Sequence, residues 1–195
     1  MNLSDAVAME LDEKNKSTNP DVLSSCTIGL NEFVMALDAA SKNLTEMEGA
    51  VKVAAGSYTD AAGKDVVDGK GSAEVNTSFG AVALDAEDKI VFASFDTAQN
   101  TATIDGEGKV AIEASLTKKE KGENYGMAMY AKTTEWDKQI EHLESTLIGK
   151  TIAEFTGAEL ADNGKSLDTD VLSGCTVHIS EFVGLLNNAF ISEIK

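Results

Sequence analysis

The sequence predicts an α+β fold, an antiparallel β-meander covered by helices, and three observations carry that prediction. Runs rich in β-branched and aromatic residues alternate with polar turns between residues 78 and 116. Trp136, Ile140, Leu143 and Leu147 then recur at spacings of four, three and four, the period of an amphipathic helix. A second helical stripe, Phe182, Val183, Leu185, Leu186, Ala189 and Phe190, closes the chain. Strands followed by helices is the order expected of a sheet with helices on one face.

The elements follow in chain order. SFGAVALDAEDKIVFASFD places two strands around the polar turn Asp85 to Lys89, and TATIDGEGKVAIEASL repeats the design around Asp105, Gly106, Glu107 and Gly108. Alternation at Ile90, Phe92 and Ser94, and at Val110, Ile112 and Ala114, predicts at least four antiparallel strands, with residues 51–57 as a further one. The stretch from Gly56 to Gly71, rich in Gly, Ala and Asp, reads as a loop. The Trp136 helix has about 14 residues by its stripe, with Gly149 as its C-cap. Asn31 and Ser180 are suitable N-caps for two related helices.

Those two helices belong to an internal duplication. Residues 9–40 align without a gap on 158–189, sharing Glu10 and Glu159, Lys16 and Lys165, Asp21 and Asp170, Ser24 and Ser173, Cys26 and Cys175, Thr27 and Thr176. Phe33, Val34 and Leu37 repeat as Phe182, Val183 and Leu186. The chain therefore reads as residues 1–44, the tail of a preceding repeat unit duplicating 150–193, and 45–195, a complete unit, with further repeats of the same protein as expected neighbours.

Composition excludes several functions. The 195 residues carry 33 acidic side chains against 16 lysines and no arginine, a net charge of -17. A phosphodiester ligand needs a basic field and usually the arginine fork, so neither nucleic acid nor an anionic membrane surface is an expected partner. No apolar run reaches the ~18 residues of a membrane span. The first residues, MNLSDAVAMELDEKNK, lack the cationic start and apolar stretch of an export signal. Two cysteines are too few for a disulfide framework; Cys26 and Cys175 read as buried thiols, although a bridge between the two equivalent positions is geometrically conceivable.

His142 and His178 have no HxH, HExxH or paired CxxC around them, so no zinc site is expected. His142 is placed on the exposed side of the Trp136 helix and His178 on a strand-like face. The acidic turns lack the twelve-residue loop of a calcium site. Neither a Ser-His-Asp order nor a phosphate loop is present, and no independent catalytic apparatus is expected.

The strongest local motif is Asp170-Val171-Leu172-Ser173-Gly174-Cys175-Thr176. It resembles the motif of the FMN-binding domain family that includes the flavin subunits of sodium-pumping quinone reductases and repeated surface proteins of anaerobic Gram-positive bacteria. Thr117-Lys118-Lys119-Glu120-Lys121-Gly122 followed by Tyr125-Gly126-Met127 is similar to the loop before the long helix of these domains. Together the resemblance spans residues 78–190. It implies an FMN-binding-domain-like fold and a cell-envelope electron carrier, extracellular or envelope-located, with the flavin phosphate esterified to Thr176. Asp170, Ser173, Gly174, Thr117, Gly122 and Tyr125 are its implied partners at the cofactor, with no metal.

The family prefers alanine before the acceptor and Ser or Thr two residues after it, where this chain has Cys175 and His178. The alternative is accordingly a flavin-free structural or ligand-binding module of a repetitive bacterial surface protein, with Ser173 to Thr176 as a close-packed turn. Tyr125 and Trp136 suit either a stack on an isoalloxazine ring or an anchor of the helix core. An acidic chain without arginine disfavours tight reversible FMN binding and leaves a phosphoester at Thr176, or no flavin.

Overall fold

A computed structural model describes residues 2–113 and 116–194. The chain divides into two compact units, Met1–Glu46 and Met47–Lys195. The first carries three helices: α1 (Leu3–Val7), α2 (Pro20–Leu23) and α3 (Asn31–Ser41).

The second unit is α+β. Its strands are β1 (Lys52–Val67), β2 (Lys70–Leu84), β3 (Ile90–Ile104) and β4 (Val110–Glu113). Next come α4 (Lys118–Lys121), a 3-10 turn over Gly122–Tyr125, α5 (Met127–Ala131), α6 (Trp136–Leu147), α7 (Ile152–Thr156), α8 (Thr169–Leu172) and α9 (Ser180–Asn187). A last strand, β5 (Phe190–Glu193), completes an antiparallel sheet of order β4-β3-β2-β1-β5. Among the described residues no helix is long and apolar enough to cross a membrane.

The residues from Gly56 to Gly71 are strand, not loop. Asp68 (φ 51°) and Gly69 (φ 73°) form a tight turn with both residues left-handed, the geometry that matches strand twist in two-residue hairpins. Each strand then zips to its partner from Lys52 opposite Leu84 out to Val67 opposite Lys70. The Gly, Ala and Asp content is unfavourable for a strand taken alone. Pairing along β2, itself held by β3 on its other edge, overrides that preference.

β3 departs from the simple alternation as well. Ala83 faces Phe92 and Leu84 faces Ile90, so Val91 is an extra residue that shifts the phase. The inward positions become Ile90, Ala93, Phe95 and Thr97 in place of Ile90, Phe92 and Ser94. On β4, Val110 and Ile112 are exposed, and Ala114 lies outside the described residues. The two acidic turns hold as predicted: Asp85 accepts from the N–H groups of Glu87 and Lys89, and Asp105 from those of Glu107 and Lys109.

The core lies between this sheet and the helices. Ala54, Val82, Leu84 and Phe95 meet Trp136, Ile140, Leu143 and Leu147 of α6 and Phe182, Leu185 and Leu186 of α9. Gly56 lets α9 approach this closely, since a Cβ there would stand 2.5 Å from the Leu185 carbonyl oxygen. Gly149 (φ 82°) stops α6 just beyond Ile148, as the C-terminal glycine preference requires. α9 is shorter than its stripe: Ala189 and Phe190 have left the helix because β5 turns back to pair with β1, Phe190 opposite Ala55.

Neither Asn31 nor Ser180 is the N-cap of its helix. Leu30 and Ile179 occupy that position, without side-chain caps. Their N–H groups are spent on the carbonyls of Asn15 (2.7 Å) and Gly164 (2.8 Å). That pair is one of many identities between the two copies of the duplication. Leu11 bridges Ser17 as Leu160 bridges Ser166, and the Cys26 and Cys175 N–H groups both donate to the carbonyl of the residue four before, at 2.8 Å. Upstream, the capping boxes of α1 (Asn2 with Asp5) and α7 (Thr151 with Glu154) also correspond. The structural repeat thus reaches back to residue 2, beyond the aligned 9–40.

Glu154 gives this region a pH dependence. It accepts the Thr151 N–H at 2.6 Å, the Lys89 ammonium at 3.1 Å and the Thr151 hydroxyl at 2.9 Å, and its carboxyl is pushed down from 4.5 to about 2, foremost by the backbone bond. A carboxyl depressed on folding contributes stability that is complete above pH 4.5 and is lost as the pH falls toward 2. Glu154→Gln is expected to flatten that part of the acid-unfolding curve, with the single tryptophan, Trp136, as the fluorescent reporter. An unchanged slope between those pH values would count against the assignment.

Candidate functional site: the cleft beside Thr176

The motif residues fold as a turn docked on α6. Asp168 caps α8 by accepting from the Asp170 N–H, and the Ser173 hydroxyl donates to the Asp170 carbonyl at 2.7 Å. His142 Nε2 lies 2.9 Å from the same carbonyl and 3.3 Å from Ser173 Oγ. Its ring lies so close to Gly174 that a Cβ there would come within 2.4 Å. His142 is therefore half-buried against the motif rather than on the outer side of α6. His178 is exposed, pairs with Lys165 in an isolated bridge and lies 3.4 Å from Glu181.

Thr176 is held from the other side of the turn. Its N–H (2.9 Å) and its hydroxyl (3.1 Å) both donate to Oε1 of Gln139, which is only 1% exposed. The Gln139 amide nitrogen donates to the Thr134 carbonyl at 2.9 Å and to the Thr133 hydroxyl at 3.2 Å, which fixes the oxygen as the acceptor toward Thr176. Cys175, next to it, is buried; burial pushes its thiol up to about 11, so it carries little thiolate. Cys26 is half-buried, and both cysteines are free thiols.

A cleft of about 270 Å³ opens beside Thr176, lined among others by Tyr125, Met127, Trp136, Lys118 and Lys165. Glu135 fixes one wall by accepting the N–H groups of Met127 and Ala128. Lys118 has its ammonium 5.3 Å from the centre of the Tyr125 ring and 5.2 Å from that of Trp136, a cation–π arrangement. Burial is the main cause of its lowered pKa, opposed by nearby carboxylates including Glu181 and Glu74. A second, more polar cleft of about 370 Å³ shares Lys118, Tyr125 and His178 with the first and continues along Tyr58, Asp60, Glu74 and Asn76.

Of the residues the motif singles out, Thr176 and Tyr125 line the cleft. Asp170, Ser173 and Gly174 shape the turn that carries Thr176. Thr117 and Gly122 bracket α4: Thr117 caps it in a box with Glu120, and Gly122 (φ 48°) ends it. Their contribution is to place Lys118. Lys118 and Gln139 carry no individual role in the motif reading. Gln139 had a readable signal, a polar residue three positions after Trp136 on an apolar stripe. Among the described residues no group of three His, Cys, Asp or Glu side chains is placed to hold a metal ion.

Fold and site thus define a class: an antiparallel sheet roofed by helices, with a cleft of mixed aromatic and cationic lining at a threonine turn. Compared with known proteins, the chain matches no family model, no curated protein and no solved structure.

Proposed function

We propose that residues 47–195 form an FMN-binding-domain-like module, an electron carrier of the bacterial cell envelope with flavin attached at Thr176. The observation that carries the reading is the cleft itself: one open space lined among others by Thr176, Tyr125, Trp136 and two lysines in a chain otherwise strongly acidic. The residues suit the group. Lys118 and Lys165 supply the positive charge a flavin phosphate requires, Tyr125 lines the cleft with the Lys118 ammonium over its ring, and Gln139 holds the threonine. FMN, when bound, supplies the electron-transfer chemistry, and the protein sets its position and surroundings. Attachment forms a P–O bond from Thr176 Oγ1, with loss of the hydroxyl proton and of the leaving group of an activated flavin phosphate.

Co-expression with a flavin transferase is expected to give a yellow protein whose intact mass rises by one FMN less water. Thr176→Val abolishes that gain and Thr27→Val leaves it, because residues 1–46 contain no counterparts of Tyr125, Trp136 or Gln139. An unchanged mass beside a flavinylated control protein would favour the second reading, a flavin-free structural module. That reading draws on the same turn, since both polar groups of Thr176 are already bonded within the protein.

A further inference from the structure

The two copies of the duplicated element share a backbone frame but not a cover. In the second copy Phe182 is fully buried, 5.1 Å from the Phe95 ring and 6.3 Å from that of Trp136, and Leu186 is 3% exposed. Their equivalents Phe33 and Leu37 are 59% and 38% exposed, and Ile28 on the same element is exposed as well. The first copy retains Asp21, Cys26 and Thr27 at the positions of Asp170, Cys175 and Thr176. Apart from Ala36 in place of Leu185, it therefore presents much of the apolar and polar face that the second copy spends on the sheet and α6.

Several positions in that face differ: Ala36 stands where the second copy has the fully buried Leu185, and at Ser25 and Met35 the first copy carries the larger side chain. Ser25 stands where the second copy has Gly174, and a Cβ at Gly174 would come within 2.4 Å of the His142 ring. Met35 stands where the second copy has Gly184, and a Cβ there would meet the Tyr58 ring at 3.1 Å. The first copy does not fit the scaffold of this chain unaltered, and that scaffold is already covered by α9.

We propose that the exposed face of α2 and α3 docks onto a module built as residues 47–149 are, an antiparallel sheet with an amphipathic helix. That module carries a small residue in place of His142 and of Tyr58, and a glutamine in place of Gln139 to receive the Thr27 N–H. Its occupancy is independent of flavin. Apolar burial supplies the drive, and the Ser25 and Met35 side chains supply the selection against this chain's own scaffold.

The test places a second segment 47–149 ahead of Met1, so that Gly149 runs into Met1 as it does into Lys150. In one version the added segment carries His142→Ala and Tyr58→Ala. Hydrogen exchange of the α3 amides is expected to slow about tenfold or more against the 195-residue chain in that version. Phe33→Asp is expected to restore the original rate, and the unaltered added segment to protect α3 less. A control in which the added segment keeps residues 150–195 reports whether the altered scaffold folds; His142→Ala alone, which removes the closer clash, serves if the double variant does not.

Unprotected α3 beside a folded control overturns the proposal, as does equal protection by the unaltered segment. Concentration-dependent protection in the 195-residue chain alone would make a second copy the occupant and overturn it also.

Discussion

Replacing Phe182 by alanine is expected to destabilise the 47–195 unit by about 3–5 kcal/mol, the usual cost of truncating a fully buried phenylalanine. The ring is at the centre of the core, against Phe95 and Trp136 and beneath α9, and the vacated space cannot close without moving α9 off Gly56, where helix and strand are already in backbone contact. Phe33→Ala, the same substitution in the other copy of the same sequence element, is expected to change stability by no more than about 0.5 kcal/mol, because an exposed ring has little burial to lose. Urea unfolding followed by Trp136 fluorescence measures the first; hydrogen exchange of the α3 amides measures the second, because Trp136 lies in the 47–195 unit and Phe33 in the other. A loss at Phe33 approaching that at Phe182 would mean that the first copy has its cover in the 195-residue chain.

Gln139→Leu is expected to cost about 1–3 kcal/mol. Leucine has nearly the same volume, so the loss is polar: the half-buried Thr176 N–H loses its acceptor, at roughly 1–3 kcal/mol, whereas the Thr134 carbonyl belongs to an exposed residue and is free to turn to water. Thr176→Val keeps the backbone bond to Gln139 and gives up only the hydroxyl bond, so its cost is expected to stay near or below about 1 kcal/mol. The contrast between the two variants in the same unfolding experiment separates the positioning of the turn from the use of the hydroxyl. A Gln139→Leu protein within about 0.5 kcal/mol of the unaltered one would show that the turn is held by other contacts. In the flavin reading the same variant also loses attachment, since Gln139 no longer holds the turn that carries the threonine.

The Trp136 stripe and the two Asp-initiated turns were legible because their signals are local: a period of 3.6 along one helix, and an aspartate accepting from N–H groups two and four residues ahead. The outer halves of β1 and β2 were not, since Gly, Ala and Asp favour a loop until a partner strand supplies the hydrogen bonds; the one local clue was Asp68-Gly69. The single residue Val91 was equally invisible, and it alone changes which side chains of β3 face the core.

At the site, the motif named the turn and the threonine but not what surrounds them. Lys118 reaches the cleft because Thr117 and Gly122 bracket a single helical turn, and Gln139 reaches Thr176 across 37 residues of sequence. By itself the sequence determined the α+β class, the acidic charge and the duplication, all properties that reside in composition, order and period. Only the tertiary structure decided that one copy of the duplicated helix is core and the other is surface. Identical side chains become one or the other according to whether a sheet lies against them, and that depends on packing partners distant along the chain.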